Sequence, residues 1–440
     1  MRYYLETFGC QMNLSDSEII RGMLEDSGHR PTESPGDADI ILLNTCSVRE
    51  HAEVRAIGRL TDLYRYRKYG QGKVLGMLGC IAQHHGQDSD ALPSWIDIVL
   101  GPDNYRDLPR LIEGIVDSRL RKYRHTRLDR GEFYGEIRPR RMGKASAWIQ
   151  VMRGCDRFCS YCIVPYVRGR ERSRDVDGIL EEVISAAKDG IPEVVLIGQN
   201  VNAYSFQGID FADLLRQVAR VPGIHRVRFL TSHPVNFTEK LLSTMKDHPS
   251  ICKSLHLPLQ SGSGRILTAM NRGYTIEEYL EKVRGLRREI PEVSLSTDLM
   301  VGFPGETEED FGKTLDAVRE VEFDHAFMFR YSPRRGTKAA KSPDQVDSEI
   351  ASVRLSRLIS IQKGITEKKN WKMVGSVVRV LVEGRARRGG GMVLARTEGY
   401  KKVVFKGNGE KPGSFQCVEI VGSTGATLIG ERARRKGSSG

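Results

Sequence analysis

Long apolar runs are absent from this chain. Nowhere do eighteen apolar residues follow one another, which excludes a membrane-spanning helix, and the N-terminus, MRYYLETFGCQMN, lacks the apolar stretch and small-residue cleavage site of a secretory signal. Cysteine is sparse as well. Its eight copies are scattered from Cys10 to Cys417, which excludes a disulfide framework and fits a reducing compartment, so a cytoplasmic location is expected. Low-complexity sequence is confined to the end, KGSSG, and the 39% hydrophobic content of the 440 residues suffices for sizeable cores in roughly two to four domains. Acidic residues fall short of basic ones, 56 against 68, leaving a net charge of +12 that favours a polyanionic partner through counterion release. The surplus gathers in RPRRMGK (Arg138 to Lys144), VRGRERSR (Val167 to Arg174) and EGRARRGGG (Glu383 to Gly391).

What the chain does have is a local trio of cysteines. Cys155, Cys159 and Cys162 in RGCDRFCSYC form CxxxCxxC, three thiolates with no fourth. A zinc ribbon closes its site with four ligands, whereas a catalytic metal or an iron–sulfur cluster can leave one iron open to another molecule. A second trio is hidden in the order of the chain. RYYLETFGC, ADIILLNTC and KVLGMLGC each run through β-prone residues into a cysteine, 36 and then 34 residues apart, with helical stretches between them. That pattern reads as repeated βα units of a parallel sheet, followed by a fourth strand at IDIVLG. Strands of such a sheet share a carboxyl edge, where Cys10, Cys46 and Cys80 would converge; the alternative is three unrelated buried thiols.

The expected fold class is α/β, in three domains. Residues 1–116 form an N-terminal open parallel α/β sheet domain, and 117–145 a basic linker. Residues 146–371 carry six strand candidates separated by helical patterns: 147–152, 193–198, 226–231, 254–259, 293–302 and 325–331. Six units fall short of a closed eightfold barrel, so this domain is expected as a partial barrel. Residues 372–434 alternate apolar and polar positions between glycines, as in a small antiparallel β-barrel, and 435–440 are a tail.

Together with GCDRFCSYC, the run IVPYVRGRERSR (Ile163 to Arg174) resembles the methylthiotransferase branch of radical S-adenosylmethionine (SAM) enzymes. TFGCQMN, NTCSVRE and LGC are similar to that branch's N-terminal cysteine segments, and the C-terminal barrel looks like its RNA-binding TRAM module. The resemblance implies a (β/α)6 radical-SAM barrel in which Cys155, Cys159 and Cys162 hold a [4Fe-4S] cluster whose fourth iron chelates SAM. It implies a second, auxiliary [4Fe-4S] cluster on Cys10, Cys46 and Cys80 that carries the sulfur to be added, and a second SAM that methylates it. The chemistry then rests on the two clusters, with no side chain singled out as catalytic.

TFGCQMNLSDSE, TSHP, HLPLQSGS and GFPGETEEDF resemble the members that modify carbon 2 of N6-isopentenyladenosine at position 37 of tRNA. Threonylcarbamoyladenosine or a ribosomal protein is the alternative acceptor, and a non-catalytic RNA-binding zinc protein the alternative of another class. Carbon 2 of adenine carries a hydrogen that is neither acidic nor hydridic, which suits a radical route. The partners implied are the tRNA anticodon stem-loop, an external one-electron reductant, a sulfur donor and iron–sulfur assembly proteins, with no membrane.

By position at strand ends, Gln199, Asn200, Ser232 with His233, Ser261 and Asp298 are the candidates for a SAM cavity. GFPGET (Gly302 to Thr307) could offer backbone N–H groups to an anion. Arg168, Arg170, Arg172 and Arg174, with Arg385, Arg387 and Arg388, are expected to grip RNA phosphates. YSPRRGTKAA departs from the family's usual proline by carrying Arg335. Cys252 and Cys417 are expected to be structural, and His84 and His85 to be solvated loop residues.

Overall fold

The apolar runs that end in cysteine become strands of one sheet. In the computed structural model, which describes all residues except 48–49, 70–71, 87, 89–91, 118, 120, 130, 388 and 434–440, β1 (Arg2–Thr7), β2 (Arg30–Pro31), β3 (Ile40–Thr45), β4 (Val74–Gly79), β5 (Ile98–Leu100) and β6 (Tyr123–His125) pair in parallel in the order β2-β1-β3-β4-β5-β6. Every residue of β3 and β4 is buried, as a parallel sheet covered on both faces requires. The covering helices are α1 (Gln11–Asp26), α2 (Glu50–Tyr69), α3 (Cys80–His85) and α4 (Leu108–Val116). Ile20, Leu24, Leu42, Leu78 and Leu111 fill one face, and Ile41, Leu60, Leu63 and Met77 the other. β6 falls inside the stretch expected as a linker. It is an edge strand of three residues, too short to leave a periodic signal. The same stretch delivers Tyr134, whose hydroxyl donates to the Pro102 carbonyl at 3.0 Å from a buried position.

The central domain begins with β7 (Ser146–Gln150), then β8 (Met152–Arg153), α5 (Val164–Arg168) and β9 (Arg172–Ser173), which together frame the cysteine loop. There follow α6 (Val176–Lys188), β10 (Glu193–Ile197), the hairpin β11 (Ser205–Phe206) and β12 (Ile209–Asp210), α7 (Phe211–Val218), β13 (Arg226–Phe229) and α8 (Glu239–Asp247). The second half runs β14 (Ser254–His256), α9 (Gly264–Ala269), α10 (Ile276–Glu289), β15 (Ser294–Val301), α11 (Glu308–Val321), β16 (His325–Arg330) and α12 (Ser348–Trp371). The six long strands are parallel, in the half-sheets β13-β10-β7 and β14-β15-β16, joined through a bridge between Val227 and Ile251. Alternation sorts their side chains. Ile149, Leu196, Phe229, Leu255, Leu295 and Ala326 pack outward into the core shared with the helices. Their neighbours Trp148, Ile197, Arg228, His256, Asp298 and Phe327 therefore turn to the interior of the partial barrel.

The last domain is a closed five-stranded barrel of β17 (Val377–Arg385), β18 (Met392–Thr397), β19 (Lys402–Lys406), β20 (Phe415–Ser423) and β21 (Thr427–Arg432). One of its pairings, β19 with β21, is parallel; the others are antiparallel. It sits under the amino ends of the central strands. Arg226 reaches the Arg379 carbonyl at 2.7 Å, and Arg228 reaches the Thr397 carbonyl at 2.8 Å while paired to Glu193 at 2.9 Å. The barrel therefore docks at the end opposite the cysteine loop, and the proposed tail, 435–440, lies outside the described residues.

Candidate metal centre between the N-terminal and central domains

Three consecutive parallel strands, β1, β3 and β4, deliver Cys10, Cys46 and Cys80 to one edge. Cys10 is the residue that opens α1, Cys46 directly follows β3, and Cys80 opens α3. Two glycines make the approach possible. Gly9 has φ +142°, and a Cβ there would lie 2.4 Å from the Cβ of Cys46; Gly79 has φ +93°, and a Cβ there would lie 2.5 Å from the Thr45 carbonyl oxygen. Asn13 fixes the loop by donating to the Thr45 carbonyl at 2.9 Å, and Asn44 donates to the Asn13 carbonyl at 2.9 Å. A hydrogen bond with Cys46, opposed by burial and aided by the Arg168 guanidinium, lowers the Cys10 thiol to about 6. Burial pushes the Cys80 thiol up, and Arg168 acts against it.

The second trio lies on the loop between β8 and α5. Its backbone is pinned at both ends: the Cys155 N–H donates to the Gly169 carbonyl at 3.1 Å and the Ser160 N–H to the Met270 carbonyl at 3.0 Å. Burial pushes Cys155 up to about 11 and Cys162 to about 12, so ionised sulfur here needs a cation to compensate it. Arg272, 5% exposed, donates to Cys159 Sγ at 3.3 Å.

All eight cysteines are free. Among the described residues, neither trio brings its three sulfurs within 4.8 Å of one another. Three thiol donors and no fourth in each trio fit an iron–sulfur core that leaves one iron open.

α5 joins the two trios. Ile163 and Val167 pack on Cys80, and Arg168, at the end of the helix, donates from Nε to Cys80 Sγ at 3.2 Å and from Nη1 to Asp16 at 2.7 Å. Arg153 and Gln150 also donate to Asp16, and Arg172 pairs with Asp103 at 2.5 Å. These contacts correct the expected role of the arginine run. Arg168, Arg172 and Arg174 turn inward to Asp16, Asp103 and Glu182, because burying a guanidinium is costly unless carboxylates or other acceptors meet it. Arg170 alone of the four stays at the surface, paired with Asp156 and stacked on Phe158. Arg385 and Arg387 on the C-terminal barrel are exposed, and Arg388 lies outside the described residues.

Above the central trio the strand ends carry polar atoms without partners. Asn200 Oδ1, Ser232 Oγ, His233 Nε2 and Gln260 Oε1 are buried and make no hydrogen bond. Buried polar atoms are seldom left so, and a ligand rich in amino, carboxylate and ribose groups would satisfy them. The donor set therefore fits SAM. Gln199 accepts from the Gly154 N–H at 2.5 Å, which ties the cysteine loop to β10, and Asp298 pairs with His256 at 3.3 Å on the inward face. Ser261 does not join them. It is buried against Thr314 of α11, 3.3 Å away, because it lies on the helix side of its strand end. Gln260 was missed, although it precedes Ser261 in LPLQSGS; its φ of +70° turns it to the other side.

Two other expectations are corrected. In GFPGET the Gly302 N–H is taken by Glu306 at 2.7 Å and the Gly305 N–H by the Asp344 carbonyl, so the turn satisfies its own donors. His84 and His85 are helix residues in contact: His85 meets Glu53 at 2.5 Å, and His84 meets the Arg335 carbonyl at 3.2 Å. Arg334 pairs with Glu53 and Arg335 with Asp88, so the unusual arginine latches the two domains together. Cys252 is buried, whereas Cys417 is exposed on β20.

A cysteine loop at the carboxyl end of a six-stranded parallel half-barrel, beneath buried polar atoms that no protein group meets, defines a radical SAM protein. Sequence comparison agrees: the profile of the radical SAM superfamily matches residues 149–318, that of uncharacterized protein family UPF0004 residues 2–101, and that of the TRAM domain residues 372–432. The chain is 44% identical over 435 residues to the tRNA-2-methylthio-N(6)-dimethylallyladenosine synthase of Chlorobium phaeobacteroides, covering 98% of each. It is 42% identical over 434 residues to that of Desulforamulus reducens, covering 98% of this chain and 95% of the relative. The chain belongs to the family of the tRNA-2-methylthio-N(6)-dimethylallyladenosine synthases. Among solved structures, the radical SAM methyltransferase TsrM from Kitasatospora setae, with cobalamin and a [4Fe-4S] cluster bound, superposes with a TM-score of 0.57 at 17% identity over 77% of this chain and 74% of that one, a likeness of fold. Membership carries a [4Fe-4S] cluster and SAM with it. Among the described residues no helix is long and apolar enough to cross a membrane.

Proposed function

We propose that this chain converts N6-isopentenyladenosine at position 37 of tRNA to its 2-methylthio derivative, using two [4Fe-4S] clusters and SAM. Cys155, Cys159 and Cys162 hold the cluster that meets SAM; Cys10, Cys46 and Cys80 hold the auxiliary one. Bound there, these groups supply radical generation, sulfur and methyl. The observation that carries the reading is the second trio, gathered from three strands and tied by Arg168 to the loop of the first.

The chain's own residues bind, orient and exclude water. Asn200, Ser232, His233 and Gln260 hold SAM over the central trio, and Gln199 fixes the loop beneath it. Inside the half-barrel the two walls differ. Trp148, Val195, Ile197 and Leu230 form an apolar side closed by Met12 of α1, opposite His256 and Asp298. An apolar prenyl chain suits that wall, whereas the carboxylate of threonylcarbamoyl would lose its hydration there without a paired cation. Arg385 and Arg387 on the TRAM barrel contact the anticodon stem-loop through phosphates.

A one-electron reductant, a sulfur donor and iron–sulfur assembly proteins complete the system, in the cytoplasm where the tRNA is. Anaerobic reconstitution should yield about eight irons per chain, and about four would refute the two-cluster assignment. Nucleoside mass spectrometry of tRNA from a deletion strain should show the isopentenyl form accumulating. Loss of a threonylcarbamoyl-derived nucleoside instead would sink the substrate assignment.

A further inference from the structure

Arg168 approaches the N-terminal trio from the central domain and is 2% exposed. Two of its nitrogens are engaged, Nε with Cys80 Sγ and Nη1 with Asp16. The third, Nη2, is buried and has no hydrogen-bond partner. In a planar guanidinium the Nε and Nη2 N–H groups share one edge and point the same way, the edge used in bidentate recognition of anions. The edge that meets Cys80 therefore presents a second, unused donor beside that sulfur.

The buried network around Arg168 sets three guanidiniums, Arg153, Arg168 and Arg172, against two carboxylates, Asp16 and Asp103, and the third guanidinium faces the Cys80 sulfur. The arginine at the other trio makes a control within the molecule: Arg272 spends Nε on Tyr274, Nη1 on Cys159 and Nη2 on the Pro258 carbonyl, so its edge is closed. The same kind of residue meets a cysteine sulfur at both sites, and only at the N-terminal one is a donor held in reserve.

We propose that Arg168 Nη2 is the anchor for a monoanionic sulfur species, hydrosulfide being the simplest, bound at the Cys10, Cys46 and Cys80 site. The proposal rests on the two-cluster reading and deepens it: the sulfur to be transferred is gripped by a donor from the domain that binds SAM. Arg168 acts on the sulfur through a charge-assisted hydrogen bond, and the grip couples sulfur loading to the docking of the two domains.

The test uses the full chain with Cys155, Cys159 and Cys162 all replaced by alanine, reconstituted anaerobically and titrated with sodium hydrosulfide, each sample being reduced with dithionite so that the remaining cluster is paramagnetic and can be followed by electron paramagnetic resonance. Arg168→Met should weaken hydrosulfide binding about tenfold or more with iron content unchanged, and Arg168→Lys should fall between. Unchanged affinity in Arg168→Met with iron retained would overturn the proposal. Should Arg168→Met shed iron, the double variant Asp16→Asn/Arg168→Met removes the carboxylate left alone, and the same tenfold loss is expected there. Loss of iron in the double variant also overturns the proposal, because the arginine is then a strut of the trio. If the parent takes up about four irons and binds no hydrosulfide, the proposal falls while the two-cluster reading stands; if it takes up no iron, that reading falls itself.

Discussion

The two cysteine trios reach the same donor set by opposite routes. Cys155, Cys159 and Cys162 lie within one loop, and their spacing in sequence nearly defines their spacing in space. Cys10, Cys46 and Cys80 are gathered by three adjacent parallel strands, so the precision of that site is borrowed from a buried sheet. A local site tolerates change elsewhere in the fold; a gathered one does not. The difference can be broken chemically. Alanine at Cys155, Cys159 or Cys162 is expected to abolish formation of deoxyadenosine from SAM. Alanine at Cys10, Cys46 or Cys80 should leave much of that cleavage intact while eliminating the methylthio product. Liquid chromatography of deoxyadenosine, paired with nucleoside mass spectrometry, reads both, and equal losses in folded protein would end the division of labour.

A backbone substitution sharpens the same contrast. Gly79→Ala forces a side chain onto φ +93° and against the Thr45 carbonyl, a strain of about 1–3 kcal/mol placed directly before Cys80. The N-terminal domain should lose thermal stability and the variant should reconstitute with about half the irons, while deoxyadenosine formation persists. Full iron content in Gly79→Ala would show that the gathered trio does not depend on this close approach.

The legibility of the sequence follows the same division. Strand register alone places the three distant cysteines on one edge, because parallel strands have only one carboxyl end to offer. The arginine run was misread because sequence displays charge and not its partners: Asp16 and Asp103, which draw Arg168 and Arg172 inward, lie far away in the chain. Ser261 and Gln260 are adjacent, and a positive φ at Gln260 decides which of them turns its polar group inward. β6 was lost for a different reason, since three residues at a sheet edge hold no period to detect. His84 and His85 owe their partial burial to Glu53 and to a turn some 250 residues later, a contact made by domain docking.

The two arginines that touch cysteine sulfur should respond differently to substitution. Arg272 has no carboxylate partner among the described residues, so Arg272→Met leaves no buried anion behind; it removes a hydrogen bond and a positive charge from Cys159. The reduction potential of the central cluster should therefore move to more negative values, because both losses disfavour added electron density. An equilibrium redox titration followed by electron paramagnetic resonance, on a variant lacking Cys10, Cys46 and Cys80, isolates the effect. An unchanged potential would assign Arg272 a packing role alone.

An effect confined to stability lies where the N-terminal helix meets the segment before the central domain. Glu18 is buried, accepts from the Met142 N–H at 3.0 Å, and has its other oxygen unpartnered. Burial raises its carboxyl from 4.5 to about 7. A raised carboxyl means that the folded state holds a proton the unfolded chain has already released, so between about pH 4.5 and pH 7 stability falls as pH rises. The loss is complete above the folded value and amounts to roughly 3 kcal/mol at most. Glu18→Gln keeps the hydrogen-bond acceptor and removes the titration, so its melting temperature should lie above that of the parent at pH 8 and match it near pH 4. A parent whose stability rises across this window would mean that Arg141 and Arg21, the cations facing Glu18, outweigh its burial.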